Sequence, residues 1–303
     1  MQFYIKKYIK KIIDIEGWCI MTQGGIKSKE RVSEFGEVFT PEHIVKEMLD
    51  LVKEQSYNIE DTFLEPACGN GNFLVEILAR KLETAKRDID NFNINVIKAL
   101  CSIYGVDIQH DNVEESKARM LEVIKSAYNS IGKELTANDL KTYIYILDKN
   151  IIWGDTLTAK FMGDIYTGKL YESTSKKYDD RPELKFVEWK IADDKIEITE
   201  FTLEECLNDG VVPVTESYEH LGLLDEFLFN NVKETKAISI DSLHSDIPDT
   251  RLEYLLNLCQ EYRERVNSKF DNIMNLPEAV GDYEENVHKS NKKSKTKKVI
   301  TAW

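Results

Sequence analysis

The stretch Thr62–Leu78 (TFLEPACGNGNFLVEIL) constrains this chain more than any other. TFLEPA reads as a short apolar strand closed by Pro66, whose missing N–H cannot extend a ladder. The loop CGNGN follows, and Phe73–Lys86 then carries apolar residues at helical spacing. Gly69 and Gly71 allow backbone N–H groups to approach a ligand closely where that helix begins. Two similar units lie downstream. Ser102–Ile108 (SIYGVDI) reads as a strand ending near Asp107, followed by a helix from about Asn112 to Ser126. Asn150–Trp153 is a third apolar segment, ending in Gly154–Asp155. This alternation predicts a parallel sheet with crossover helices.

Upstream, residues 33–52 read SEFGEVFTPEHIVKEMLDLV. Thr40 is placed as an N-cap and Pro41 in the first helical turn, where its missing N–H costs nothing. Ile44, Met48, Leu51 and Val52 then make one apolar face. Residues 161–267 break the strand–helix rhythm. Leu184–Ile191 and Lys195–Phe201 alternate apolar and polar around Ala192-Asp193-Asp194, which predicts a β-hairpin. Arg251–Val266 is expected as an amphipathic helix, and Lys269–Asn275 (KFDNIMN) as the fourth core strand. The expected organisation is an extension (1–32), a core (33–160), an α+β insertion (161–267), a strand with its loop (268–285) and a lysine-rich tail (286–303).

In an open parallel sheet, ligands bind where strands end and helices begin. Three strand ends here carry groups suited to a nucleoside ligand. Glu65 can accept from an ammonium group, Asp107 from ribose hydroxyls and Asp155 from an adenine amine. The loop has no third glycine, so the dinucleotide fingerprint fits poorly and NAD is disfavoured.

No apolar run reaches the eighteen or so residues that span a bilayer, so no membrane role is expected. The first twenty residues are basic and apolar but lack a cleavage site, and read as a short amphipathic helix or extension. Met21 heads a more ordinary polar start and is an alternative initiator. Five cysteines without C-x-x-C spacing suit reduced cytoplasmic thiols rather than disulfides or a metal site. Net charge is −14, although Lys289–Lys298 alone holds six lysines. Any nucleic-acid surface must therefore be segregated or supplied by a partner.

Four segments, in order, resemble the cofactor-binding motifs of the N6-adenine DNA methyltransferases, most closely the gamma-ordered branch found in restriction–modification systems. They are GEVFTPEHIVKEML (36–49), FLEPACGNGNFLVEIL (63–78), YGVDI (104–108) and IIWGDTL (151–157). The resemblance implies a Rossmann-like α/β sheet that binds S-adenosylmethionine and methylates adenine in double-stranded DNA. By the same resemblance Phe39, Thr40 and Pro41 close over the cofactor. Glu65, Ala67, Gly69 and Gly71 hold its methionine part; Asp107, with Ile108 beside it, holds its ribose; Asp155 and Leu157 hold its adenine.

The fourth strand departs from the family pattern. An Asn or Asp, two prolines and an aromatic residue are expected there, to hold and stack the flipped base. The chain offers Asn275, Leu276, Pro277 and Glu278. The catalytic set is therefore Asn275, the Leu276 carbonyl and Pro277, without the aromatic residue, whose stacking is worth about 1–3 kcal/mol. Only 25 residues follow Glu278. An incomplete sheet is expected, completed by a second chain that brings the target-recognition region. Two alternatives stand beside this reading: a catalytically silent cofactor-binding subunit whose 161–267 insertion contacts partners, and a methyltransferase acting on RNA or on a protein glutamine.

Overall fold

The computed structural model describes residues 27–175, 178–192, 194–202 and 235–274. The expected extension before residue 27, the segment Asn275–Glu278 and the lysine-rich tail lie outside the described residues. Three short helices come first: α1 (Lys29–Phe35), α2 (Glu42–Asp50) and α3 (Lys53–Tyr57). Ser28 caps α1 by accepting from the Arg31 N–H. Two expectations for α2 need correction. Pro41 is its N-cap and Thr40 lies just outside, so the hydroxyl makes no cap. The inward positions are Val45 and Leu49, while Leu51 is exposed. The helix ends at Asp50, so Leu51 no longer follows its periodicity.

The core follows as β1 (Phe63–Glu65), α4 (Asn72–Ala85), α5 (Phe92–Cys101), β2 (Ile103–Asp107), α6 (His110–Ser130), α7 (Ala137–Asn150) and β3 (Ile151–Asp155). Both β1–β2 and β2–β3 pair parallel. The expected strands and the helices after them are thus present, within a few residues at each end. Two helices, α5 and α7, escaped the sequence reading. α7 starts with a capping box, in which Thr136 and Asp139 satisfy one another's backbone N–H.

The pleat divides the β-sheet residues between two packing layers. Phe63, Ile103, Ile151 and Trp153 join the layer containing Leu74, Leu78, Val113 and Leu121 of the helices. Gly105 is required here, because a Cβ would meet the Leu74 side chain at 2.9 Å. Leu64, Tyr104, Val106 and Ile152 face the other way, onto Leu184, Phe186 and Phe201.

That second layer comes from the region read as an insertion. β4 (Lys160–Phe161) pairs antiparallel with β3, and β5 (Gly163–Asp164) with β6 (Lys169–Leu170) forms a small hairpin. β7 (Lys185–Ala192), β8 (Lys195–Thr202) and β9 (Thr235–Ser239) make a three-stranded antiparallel sheet. The expected hairpin is therefore present, and its inner face is part of the core. The Tyr104 hydroxyl donates to the Val187 carbonyl at 2.7 Å, and Leu184 fills the space left by Gly154. Covering both faces of a parallel sheet is what its continuous apolar strands require.

A 3-10 helix (Ile240–Asp246) leads into α8 (Asp249–Met274). The expected helix at 251–266 is present but longer, and the expected fourth strand fails. Residues 269–274 continue α8. Val266, Phe270, Ile273 and Met274 keep helical spacing with the residues before them, and a seven-residue window is too short to separate that period from a strand's. The compact unit that holds the core ends at Cys259. From Gln260 the helix belongs to a second unit, where Gln260 donates to Glu264 at 2.9 Å.

At the start of α8, Arg251 enters a buried charge cluster with Glu114, Lys117 and Asp148. Its guanidinium bonds Glu114 at 2.5 and 3.0 Å and Asp148 at 2.5 and 3.0 Å. Burial raises the Asp148 carboxyl, but Lys117 and Arg251 outweigh it and hold the group below its usual range. Two acids and two bases thus bind α6, α7 and α8 together without a net buried charge.

Candidate cofactor-binding site

The strand register sets the site. Glu65 lies opposite Gly105, and Asp107 opposite Trp153. Each strand therefore reaches two residues beyond its neighbour, and Glu65, Asp107 and Asp155 share one pleat parity. At about 3.3 Å rise per residue and about 4.8 Å between strands, successive acids are roughly 8 Å apart along a diagonal. Sequence alone placed each at a strand end. The register puts all three on one face of one sheet end.

The loop after β1 is held from behind by α6. Gly69 and Gly71 both have positive φ, +52° and +85°. A Cβ on Gly71 would sit 2.8 Å from the Ser116 Oγ, and one on Gly69 would meet the Phe39 ring at 3.0 Å. Asn112, Glu115, Ser116 and Arg119 recur at i, i+3, i+4 and i+7, one face of α6. Ser116 donates to the Gly69 carbonyl, Arg119 to the Asn70 carbonyl at 2.6 Å, and Glu115 accepts from the Asn70 amide. Arg119 also reaches Asn72, whose amide donates to the Thr40 carbonyl at 2.8 Å. The FTP segment is thereby tied to the glycine loop. The sequence reading gave none of these α6 residues a role in the site. Their signal was present as polar residues, Asn112 and Ser116 above all, on the inward side of a helix whose other inward positions are apolar.

Asp107 organises the next strand end. Its carboxylate accepts from the Gly69 N–H at 2.9 Å, the Gln109 N–H at 2.9 Å and the Asn112 amide at 3.2 Å. Burial raises its pKa against these bonds, and the Glu37 charge adds to the rise. Among the described residues Glu65 has no cationic partner. Burial pushes its carboxyl up to about 7, opposed only by the Ala67 N–H. The Cys68 thiol beside them is buried and raised well above its usual range by burial and by these two acids. It is no nucleophile.

The third strand end is the most open. Asp155 accepts from the Leu157 N–H at 2.9 Å, the Thr158 N–H and the Thr158 hydroxyl at 2.8 Å. Leu157 is 97% exposed, so core packing does not account for it. Ile108 is exposed as well, and its carbonyl accepts from the Trp153 indole at 3.0 Å. Thr156 reaches back to the Pro66 carbonyl at 2.7 Å, which ties the loop after β3 to the loop after β1.

The structure therefore assembles Phe39, Thr40, Glu65, Ala67, Gly69, Gly71 and Asp107 around one loop, with Asp155 and Leu157 at the far end of the same edge. Asn275, Leu276 and Pro277 lie outside the described residues. Among the described residues no group of three or more His, Cys, Asp or Glu side chains is arranged to hold a metal ion. No described helix is long and apolar enough to cross a membrane.

Residues 27–142, which contain this loop and the first two strand ends, match the N-6 DNA Methylase family model. This segment is similar to that family. The chain is also 28% identical over 128 residues to the type II methyltransferase M.VspI of Vibrio sp. (strain 343), covering 41% of the chain and 27% of that protein. Over 74 residues it is 36% identical to the type II restriction enzyme and methyltransferase RM.BcgI of Heyndrickxia coagulans, covering 24% of the chain and 10% of that protein. The matches thus span about a quarter or less of these relatives' lengths. No solved structure matches. The matched segment supplies the strand–loop–helix and its α6 support; Asp155, Leu157 and the β7–β9 sheet lie beyond the matched range.

Proposed function

We propose that this chain binds S-adenosylmethionine on a Rossmann-like sheet and serves N6-adenine methylation of DNA in a restriction–modification or phage system. The observation that carries the reading is the diagonal of Glu65, Asp107 and Asp155 above a positive-φ glycine loop, inside a segment of the N-6 DNA methylase family. The residues fit such a ligand. A carboxyl held near 7 without a cationic partner suits an ammonium group, and the exposed Leu157 suits the face of an adenine ring.

When bound, the cofactor supplies an electrophilic methyl group on a sulfonium. What this chain contributes is placement. α6 fixes the glycine loop, Glu65 fixes the amino end of the ligand, and Asp107 couples ribose binding to the Gly69 N–H. A target adenine, flipped from the duplex, would present its amine in line with the methyl group. Asn275 and the Leu276 carbonyl are the candidates for holding that amine, with Pro277 as the signature's second proline. DNA is accordingly the proposed partner and the cytoplasm the proposed location.

The helical course of 269–274 favours a second reading, in which this chain supplies cofactor binding and a partner chain supplies catalysis. One experiment separates the two. Methyl incorporation into adenine from labelled cofactor, lost in Asn275→Ala, supports the complete enzyme. Cofactor binding by calorimetry with no transfer, alone or with a candidate partner, leaves the silent subunit. No cofactor binding at all overturns both.

A further inference from the structure

Glu37 holds the feature that the cofactor reading leaves unused. Its side chain is 7% exposed, and its two oxygens are treated very differently. Oε2 accepts from Arg31 Nε at 3.0 Å, from Arg31 Nη2 at 2.6 Å and from the Asn112 amide at 2.9 Å. Oε1 is buried and accepts no hydrogen bond among the described residues, and the same holds for the Asn112 Oδ1. Two buried acceptors without a donor among the described residues are costly, at roughly 1–3 kcal/mol each, so the arrangement calls for a further donor.

The location identifies the donor. The Asn112 amide nitrogen bonds Glu37 at 2.9 Å and Asp107 at 3.2 Å, so the two carboxylates face one another across one nitrogen. Asp107 already takes three donors from the chain: the Gly69 N–H, the Gln109 N–H and this amide. Four lone-pair directions leave it about one more acceptance, too few for two hydroxyls. Glu37 has a whole oxygen to spare.

We propose that Glu37 is a further cofactor-binding residue, whose free Oε1 accepts one ribose hydroxyl of the nucleoside ligand while Asp107 accepts the other. The inference rests on the S-adenosylmethionine reading and sharpens it. Arg31, on α1, then acts as a positioning residue that occupies Oε2 and turns Oε1 toward the ligand. The GEVFTP segment contributes a side chain as well as a closing backbone.

The test is a calorimetric cycle with S-adenosylhomocysteine and its 2′-deoxy and 3′-deoxy analogues, on folded protein verified by thermal melting. In Glu37→Gln the amide oxygen keeps the Arg31 bonds and an NH2 donor replaces the free acceptor. Affinity for the parent ligand should fall about tenfold or more, while affinity for one deoxy analogue changes less than twofold. Arg31→Ala should weaken binding less than Glu37→Gln and retain most of the discrimination between hydroxyl and deoxy ligands. An equal loss for all three ligands makes Glu37 a purely structural group. No loss for any of them means that Oε1 meets only a bound water. Either result overturns the inference while cofactor binding stands. If the wild-type chain binds none of the ligands, the cofactor reading falls with it.

Discussion

Glu65 offers the sharpest test of the site. Its carboxyl titrates at about 7 in the folded chain because burial disfavours the charged form, and no cation offsets this. An ammonium ligand needs the ionised form, so binding must strip a proton whenever the pH lies below that value. Between pH 8 and pH 6 the ionised fraction falls from about nine-tenths to about one-tenth, and the apparent Kd should rise roughly tenfold. The ligand's own amino group stays protonated over this range and contributes little. Calorimetric titration with S-adenosylhomocysteine at several pH values reads the slope, and Glu65→Gln should bind weakly and without it. Stability gives an independent check of the sign. The folded carboxyl holds its proton more tightly than the unfolded one, whose model value is 4.5. Stability therefore falls as pH rises through the interval from 4.5 to about 7, and the cost is fully present above it. The full shift corresponds to at most about 3 kcal/mol, reduced to about 1–2 by the partial exposure of the group. Glu65→Gln should then raise Tm by about 2–8 °C at pH 8 and leave it nearly unchanged near pH 4.5. A flat pH profile for the wild type, or the same slope in Glu65→Gln, refutes the assignment.

Two further perturbations test the scaffold around it. Gly71→Ala forces a side chain into positive φ and within 2.8 Å of the Ser116 Oγ; strain and overpacking together should cost about 2–4 kcal/mol, a Tm drop of about 4–16 °C. A melt within about 2 °C of wild type would show that the loop is not clamped against α6. Arg251→Ala leaves Glu114 and Asp148 buried with only Lys117 between them and should destabilise by about 3–5 kcal/mol, whereas Arg251→Met with Glu114→Gln should recover part of the loss; denaturant unfolding would measure both, and equal losses would argue against a charge-pairing role.

The sequence determined the strand–loop–helix at Thr62–Leu78, the strands ending at Asp107 and Asp155, and the hairpin around Ala192–Asp194. Each is a local matter: apolar runs of strand length, glycines where positive φ is needed, and alternation across a pleat. It also carried the family resemblance, because the motifs that carry it are contiguous stretches of sequence. Helices α5 and α7 escaped because their mixed patterns become inward-facing only against partners distant in the chain. The same shortage of context made residues 269–274 look like a strand, when they extend a helix begun at Asp249.

Tertiary structure alone decided three things. Register, which depends on how strands slide past one another, put Glu65, Asp107 and Asp155 on one face with a two-residue stagger. Packing turned the β7–β8 hairpin from an appended insertion into the second cover of the parallel sheet, because its apolar strands cannot leave a face to water. Long-range hydrogen bonding brought Glu37 onto the amide of Asn112, 75 residues away, which bonds the same acid as the Gly69 N–H. No period or motif encodes that meeting. It follows from Arg31 of α1 pairing with both Glu37 and Asp111 of α6, and it gives the strand end at Asp107 a second carboxylate.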